Sequence, residues 1–325
     1  MKAKQKNTPE VVNKGLITRR VSSKWNQQRL APYMFLAPFV ILFLIFGLYP
    51  TAYSIFISFF DWRMAGMREF VGLENYTRLF TVDPFFPRAM FVTGVLLIFG
   101  SMMQHVFAIP LAIILNNKSM IGREFFKTTY FLPYVTSAVA ITLVFNMVFS
   151  HSATGAATGW INYALENWFG IERIRWLSYP PAMLATLSIM LNWQFIGWNM
   201  IIYLAGLQAI PKDLYESAWI DGATPFQQHT RITVPLLLPV IFFATTLSII
   251  GGMQLFDQPF ILFDGYSGRG GPGNAGLTAA YYLMVQAFGG VGRFGRASAI
   301  AWMLFVFIIA LTMLNKWANK RLEER

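Results

Sequence analysis

Six long stretches of this sequence contain no Asp, Glu, Lys or Arg: Ala31–Phe60, Ala89–Asn117, Thr128–Leu165, Trp176–Pro211, Ile232–Phe256 and Ala297–Asn315. A helix of ~20 apolar residues crosses the hydrocarbon core of a bilayer. In that solvent only segments that satisfy their own backbone hydrogen bonds are viable. The six stretches therefore predict an all-α polytopic membrane protein with six transmembrane helices. The third and fourth exceed one crossing, so part of each is expected to be loop or interfacial. A seventh stretch, Gly270–Gly292, opens Gly-Gly-Pro-Gly and closes Gly-Gly-Val-Gly. It is expected as an extracytoplasmic loop carrying a short helix near Leu277–Phe288. The first stretch is longer than the apolar core of a signal peptide and is expected to stay as the first helix.

Composition agrees. Of the 325 residues 55% are hydrophobic and 13% charged, about half the ~25% charge of soluble domains. Cysteine is absent and the three histidines are far apart, which leaves no basis for a disulfide or for a metal centre built from these residues. The formal net charge of +11 is read as a topology signal, not as a nucleic-acid footprint. With the N-terminus in the cytoplasm, 17 of the 26 Lys and Arg fall in cytoplasmic segments and nine outside, the bias that sets orientation. Both termini are thus expected in the cytoplasm, with basic residues drawn to anionic lipid. The expected organisation is a basic cytoplasmic segment 1–30, a six-helix domain 31–316 and a cytoplasmic tail 317–325. Within the first segment, Val11–Arg29 mixes basic and apolar residues and reads either as a surface amphipathic helix or as a basic tail.

In this topology the roughly 30 residues from Gly206 to Pro235 form a cytoplasmic loop, far beyond the ~2–8 usual between bundled helices. Pro211, Asp213 and Glu216 favour a helix start, and Gly222 suits a left-handed helix end. Thr224-Pro225 reads as the cap and first position of a second short helix. The result is helix, glycine turn, helix, exposing Leu, Tyr, Trp, Ile and Phe to water, as partner surfaces do.

The segment Glu216-Ser217-Ala218, three residues, Gly222, nine residues, Ile232-Thr233-Val234-Pro235 resembles the EAA loop of bacterial ABC-importer permeases. The fuller run from Gly206 to Ala223 resembles the carbohydrate branch, the MalF-like sugar permeases. Arg123–Pro133, Phe256-Asp257 and Gly270–Asn274 extend the similarity, which covers about Pro32 to Asn315. Ser217 stands where the family has Ala, Val234 where it has Leu, and His229 where Phe is common. The resemblance implies the type I permease fold and a coupling role for Glu216, Ser217, Ala218, Asp221, Gly222, Ala223, Ile232 and Pro235, which dock into a nucleotide-binding subunit. It also implies two permease subunits, two ATPase subunits and an external solute-binding protein, in the bacterial cytoplasmic membrane. Sugar permeases often pair two different halves, so a heterodimer is expected. This chain has no Gly-x-x-x-x-Gly-Lys-Ser/Thr loop, so ATP and Mg are expected on the partner ATPases. No cofactor, metal or catalytic residue is expected in the chain itself.

A substrate path needs polar groups at membrane depth. Asn192, Trp193, Gln194, Trp198 and Asn199 supply them in the fourth stretch, with Gln104, His105, Gln254 and Asp257 elsewhere. Amides bond sugar hydroxyls and aromatic faces cover the apolar ring face. The preferred path residues are Gln194, Trp198, Asn199, Gln254 and Asp257. Each could instead hold helices together, and Asp257 could sit at the outer water boundary. Gly251-Gly252 would allow a helix break or a close approach, and His105 reads as a hydrogen-bonded packing residue. The Gly-rich loop Asp264–Asn274 is either a docking site for the binding protein or a connector. An ion-coupled carrier would need ionisable groups inside the spans, and the six stretches hold no Lys, Arg or carboxylate; a membrane enzyme would need a cluster of acid, base or metal ligands, and His105, His151 and His229 fall at different depths. A receptor or scaffold subunit without a transport role stays open at this point.

Overall fold

A computed structural model describes residues 17–151, 159–263 and 270–323, with side chains from residue 30 to 322. The side chains of Val11–Arg29, and residues 264–269 of the Gly-rich loop, lie outside the described residues. The chain divides into two compact units between Phe56 and Ile57.

From Ile17 on, the first unit is one uninterrupted helix, which runs two residues past its boundary. It comprises α1 (Ile17–Phe43), a π-helical turn Leu44–Leu48, and α2 (Tyr49–Ser58). The expected boundary at Leu30 is therefore not a break in the helix. Pro32 and Pro38 lie inside α1, as membrane helices tolerate.

The second unit opens with a feature that the sequence pattern did not announce. β1 (Phe60–Arg63) and β2 (Gly66–Phe70) form an antiparallel hairpin with Trp62 opposite Met67. The Asn75 amide, on α3 (Glu74–Thr81), donates to the carbonyls of Ser58 and Phe60, both at 2.9 Å, and pins the hairpin. α4 (Phe85–Leu96), a π-helical segment Leu97–Met102 and α5 (Met103–Asn116) then form one span. α6 (Arg123–Val135) and α7 (Ala138–Val148) are bent by 98° about the extended residues Thr136 and Ser137. The third charge-free stretch is thus not one helix; its end enters a separate helix, α8 (Trp160–Phe169).

α9 (Pro180–Gln208), of 29 residues, occupies the middle of the bundle. The loop that follows holds α10 (Asp213–Ile220), α11 (Pro225–Gln228) and a π turn His229–Thr233 leading into α12 (Val234–Met253). After a break at Gln254–Phe256 come α13 (Asp257–Phe263), α14 (Ala279–Phe288) and α15 (Phe294–Glu323). α14 matches the short helix expected near Leu277–Phe288. α15 carries on past Asn315, so the expected tail 317–325 is mostly helix.

Four described helices are long and apolar enough to cross a membrane: Leu30–Ser58, Phe85–Asn116, Pro225–Met253 and Phe294–Leu322. The bent α6–α7 pair brings the number to five. α9 matches them in length but carries Asn192, Gln194 and Asn199 midway. It can hold these groups because its neighbours enclose it, with residues along most of its length buried. Packing around α9 is close. A Cβ on Gly197 would lie 1.8 Å from the Tyr130 carbonyl oxygen, so only glycine lets α6 cross α9 there. A Cβ on Gly252 of α12 would meet the side chains of Ser101 and Leu97, at 2.6 and 2.9 Å.

The π segment Leu97–Met102 faces α9 through hydrogen bonds. Asn192 of α9 donates to the Phe99 carbonyl at 2.7 Å, and Gln104 of α5 donates to the Gly100 carbonyl at 2.6 Å and to the Leu191 carbonyl of α9 at 3.3 Å. A π turn leaves carbonyls poorly served by its own helix, and these two amides satisfy them.

Candidate functional site

Two features of the second unit have the chemistry of sites. The first is a cavity of about 310 Å³ among α5, α6, α9, α12 and the π segment. Its polar lining is Ser101, Gln104, Asn199 and Ser248, and its aromatic wall is Tyr134, Phe195 and Trp198. Tyr134 and Trp198 stack with ring centroids 4.5 Å apart and planes at 18°. Helix periodicity selects the lining. Leu191, Phe195, Trp198 and Asn199 share one face of α9, and Leu247, Ser248, Gly251 and Gly252 one face of α12.

Hydrogen bonds fix the polar groups. The Asn199 amide donates to Gln104 Oε1 at 2.8 Å, while Gln104 Nε2 is occupied by the Gly100 and Leu191 carbonyls. Behind the wall, Tyr203 bonds His105 Nδ1 at 2.6 Å and His105 Nε2 bonds Ser248 at 3.0 Å. Tyr203 is fully buried and this is its one described side-chain partner, so its hydroxyl must donate. That leaves the proton on Nε2, which donates to Ser248. His105 is thus hydrogen-bonded at both ring nitrogens, to α9 and to α12.

Of the five preferred path residues, the structure brings Trp198 and Asn199 to the cavity. Gln194 is buried outside the lining and accepts from Gln258 Nε2 at 3.2 Å. Gln254 ends α12 and Asp257 begins α13; both are exposed and neither lines the cavity. The reason is geometric. Gln254 follows the last residue of α12 at the start of the helix break, and that break puts Asp257 on another element. Sequence reasoning missed Ser101, Tyr134, Phe195 and Ser248. The face shared by Phe195 with Asn199 was readable from spacing alone, whereas Tyr134, some 64 residues before Trp198 in the chain, was not.

The second feature is the loop. α10 has no buried residue, and Trp219, Ile220 and Phe226 are 75%, 79% and 77% exposed. α10 ends as its glycine suggested. Gly222 has φ +78°, its N–H bonds the Trp219 carbonyl at 3.0 Å, and the Ala223 N–H reaches back to Ala218 at 2.9 Å. This is the Schellman pattern of paired end bonds. Thr224 then caps α11 in a capping box, with Gln227 N–H donating to its hydroxyl and its own N–H donating to Gln227 Oε1 at 2.8 Å. Glu216, Ser217 and Asp221 are exposed, Ala218, Ala223 and Ile232 are partly buried, and Pro235 lies in the first turn of α12. The π turn before it follows from that proline. Pro235 has no N–H for the preceding turn, and the helix shifts register, with Val234 N–H bonding the His229 carbonyl.

Residues 108–324 match the model of a family described as the binding-protein-dependent transport system inner membrane component. This chain belongs to that family. The transport component is 34% identical over 297 residues to the arabinooligosaccharides transport system permease protein AraP of Halalkalibacterium halodurans, covering 91% of this chain and 90% of that protein. It is 34% identical over 290 residues to the lactose transport system permease protein LacF of Rhizobium radiobacter, covering 89% and 93%. Its fold also matches a chain in the crystal structure of a bacterial ABC transporter involved in import of the acidic polysaccharide alginate. There the TM-score is 0.76 at 25% identity, over 93% of this chain and 99% of that one. The chain is thus a multi-pass membrane transport component with the type I permease fold.

Proposed function

We propose that this chain is one of two permease subunits in an ATP-driven importer that carries a carbohydrate, of oligosaccharide size, across the bacterial cytoplasmic membrane by alternating access. Its relatives are named for arabinooligosaccharides and lactose, and the cavity has the matching chemistry. The observation that carries the reading is that cavity: a stacked Tyr134–Trp198 wall facing amide and hydroxyl groups, all uncharged. Aromatic faces cover sugar rings, and amides and hydroxyls bond their hydroxyl groups. Trp198 and Asn199 are contacts in the cavity, Gln194 supports its wall, and Gln254 and Asp257 stand on the approach to it.

The loop from α10 to α12 is the coupling element. Glu216, Ser217, Ala218, Asp221, Gly222, Ala223, Ile232 and Pro235 dock into, or shape the docking of, a separate ATPase subunit that holds ATP and Mg. Two ATPases, a second and different permease, and an extracytoplasmic solute-binding protein complete the assembly, with both termini of this chain in the cytoplasm. Residues 31–316 form the transport domain and 208–235 its coupling loop.

Reconstitution of the complete set in liposomes tests this. Uptake of a labelled oligosaccharide is expected only with ATP and the ATPase subunits, and with no dependence on a proton or sodium gradient. Uptake driven by an ion gradient in the absence of ATP would overturn the reading.

A further inference from the structure

The coupling loop is exposed, yet a push on it has to reach a cavity far along α12. α10 has no fully buried residue, and only Tyr215 and Ala218 are partly buried, so little apolar packing holds it to the bundle. Two connections remain. One is the covalent turn through Gly222 and Thr224. The other is a single side-chain bond: Tyr215 of α10 meets Thr233 at the foot of α12, oxygen to oxygen at 2.9 Å. Among the described residues no other side-chain hydrogen bond joins α10 to residues 229–253. Thr233 is 1% exposed. Its hydroxyl also lies 3.4 Å from the Gln228 carbonyl and 3.3 Å from His229 Nδ1. A hydroxyl has one hydrogen and can accept two. The assignment that serves all three contacts has Thr233 donating to Gln228 across the π turn while Tyr215 and His229 Nδ1 donate to Thr233.

We propose that Tyr215 and Thr233 are positioning residues that transmit the motion of α10 to α12. The bond ties α10 to the last residue of the π turn, the point where the helix register shifts and where the helical ladder is weakest. From Thr233 to Ser248 is 15 residues of continuous helix, roughly 22 Å at ~1.5 Å per residue. A displacement delivered at Thr233 therefore moves the α12 wall of the cavity as a rigid element. Without the bond, α10 can tilt about the Gly222 turn while α12 stays in place. His229, where the resembling family commonly has Phe, here adds a second donor to the same oxygen.

The inference rests on the coupling role proposed for the loop, and the experiment separates the two. In proteoliposomes holding the complete transporter and its loaded binding protein, the quantity read is carbohydrate moved per ATP hydrolysed. Tyr215→Phe and Thr233→Val are each expected to lower that ratio about three- to tenfold, the factor one such hydrogen bond contributes to an equilibrium. ATP hydrolysis and co-purification of the ATPase subunits should persist. The double variant should be no worse than the poorer single one, and Thr233→Ser, which keeps the hydroxyl, should restore the ratio. An unchanged ratio in both single variants, additive losses in the double, or loss of the ATPase from the complex would overturn the proposal. If Glu216→Lys and Gly222→Trp also leave uptake intact, the coupling role of the loop fails with it. If those two abolish uptake while Tyr215→Phe and Thr233→Val do nothing, only the tether fails.

Discussion

At the scale of single residues, the two sites make different demands on their side chains. Trp198 contributes a face, and its stacking on Tyr134 holds that face in place before any ligand arrives. Trp198→Ala should raise the KM of uptake roughly fivefold, about 1 kcal/mol of aromatic contact. Trp198→Phe should lose less, because a ring remains. Equal KM values for wild type and Trp198→Ala would remove this wall from the substrate path. Gly222 contributes a conformation. At φ +78° with nothing within 4 Å of a built Cβ, alanine meets only backbone strain, about 1–2 kcal/mol. Gly222→Ala should therefore retain part of the transport rate and Gly222→Trp none, since the larger group collides with the docked partner and not with this chain. Glu216→Lys should likewise abolish uptake while leaving the helices folded. Similar rates for Gly222→Ala and Gly222→Trp in proteoliposomes would mean that nothing docks there.

At the scale of elements, close crossings hold the bundle around α9, and glycines mark them. At Gly197 the atom in the way of a Cβ is the backbone oxygen of Tyr130, which cannot rotate aside. Gly197→Ala should cost about 1–3 kcal/mol, as overpacking does, and lower the melting temperature in detergent. Gly94 of α4 has open space around its Cβ position, and Gly94→Ala should hold or raise the melting temperature, by up to ~1 kcal/mol of helix propensity. Reversal of that order would put the α6–α9 crossing elsewhere. A buried side chain plays the same part outside the bundle. Asn162 of α8 is fully buried and bonds Ser150, Ile174 and Trp176. Asn162→Ala takes away the partner of the Ile174 backbone and of the Trp176 indole, about 1–3 kcal/mol, and should make residues 159–175 the first site of proteolysis. What the sequence showed at this scale followed from periodicity and capping. Charge-free length located the apolar stretches, Gly222 marked the end of α10 and Thr224-Pro225 the start of α11, while α10 begins at Asp213 and leaves Pro211 outside it. What stayed hidden depends on distant pairing. The hairpin needs Asn75 to hold it, and the bend at Thr136 has no glycine or charge to announce it. The cavity divides the same way: Trp198 and Asn199 were legible as polar and aromatic groups within one stretch, while Tyr134 joins them only through the α6–α9 crossing.

At the scale of the whole molecule, the proposed orientation ties the sites together, because a coupling loop can meet a cytoplasmic ATPase only from the inner side. The basic residues argue for that side: nine of the 26 Lys and Arg would face outward and 17 inward, and translocating the larger set is the disfavoured outcome. The chain has no cysteine, so each introduced thiol reports on one position without background. Ser119, between α5 and α6, and Glu172, after α8, are both exposed. They are separated by the bent α6–α7 pair, a single crossing if that pair is one broken span. On intact spheroplasts a membrane-impermeant maleimide should label Glu172→Cys and spare Ser119→Cys; opening the membrane should expose both. Trp219→Cys adds the partner to the same assay. Trp219 is 75% exposed in the isolated chain, so its thiol should react in opened membranes when this permease is expressed alone, and should be protected when the ATPase subunits are co-expressed. Labelling of Ser119→Cys from outside would invert the topology and place the loop where no ATP-bound partner could reach it. Protection of Trp219→Cys only with the ATPases present is the result that joins the exposed aromatic surface, the glycine turn beneath it and the direction of transport in one arrangement.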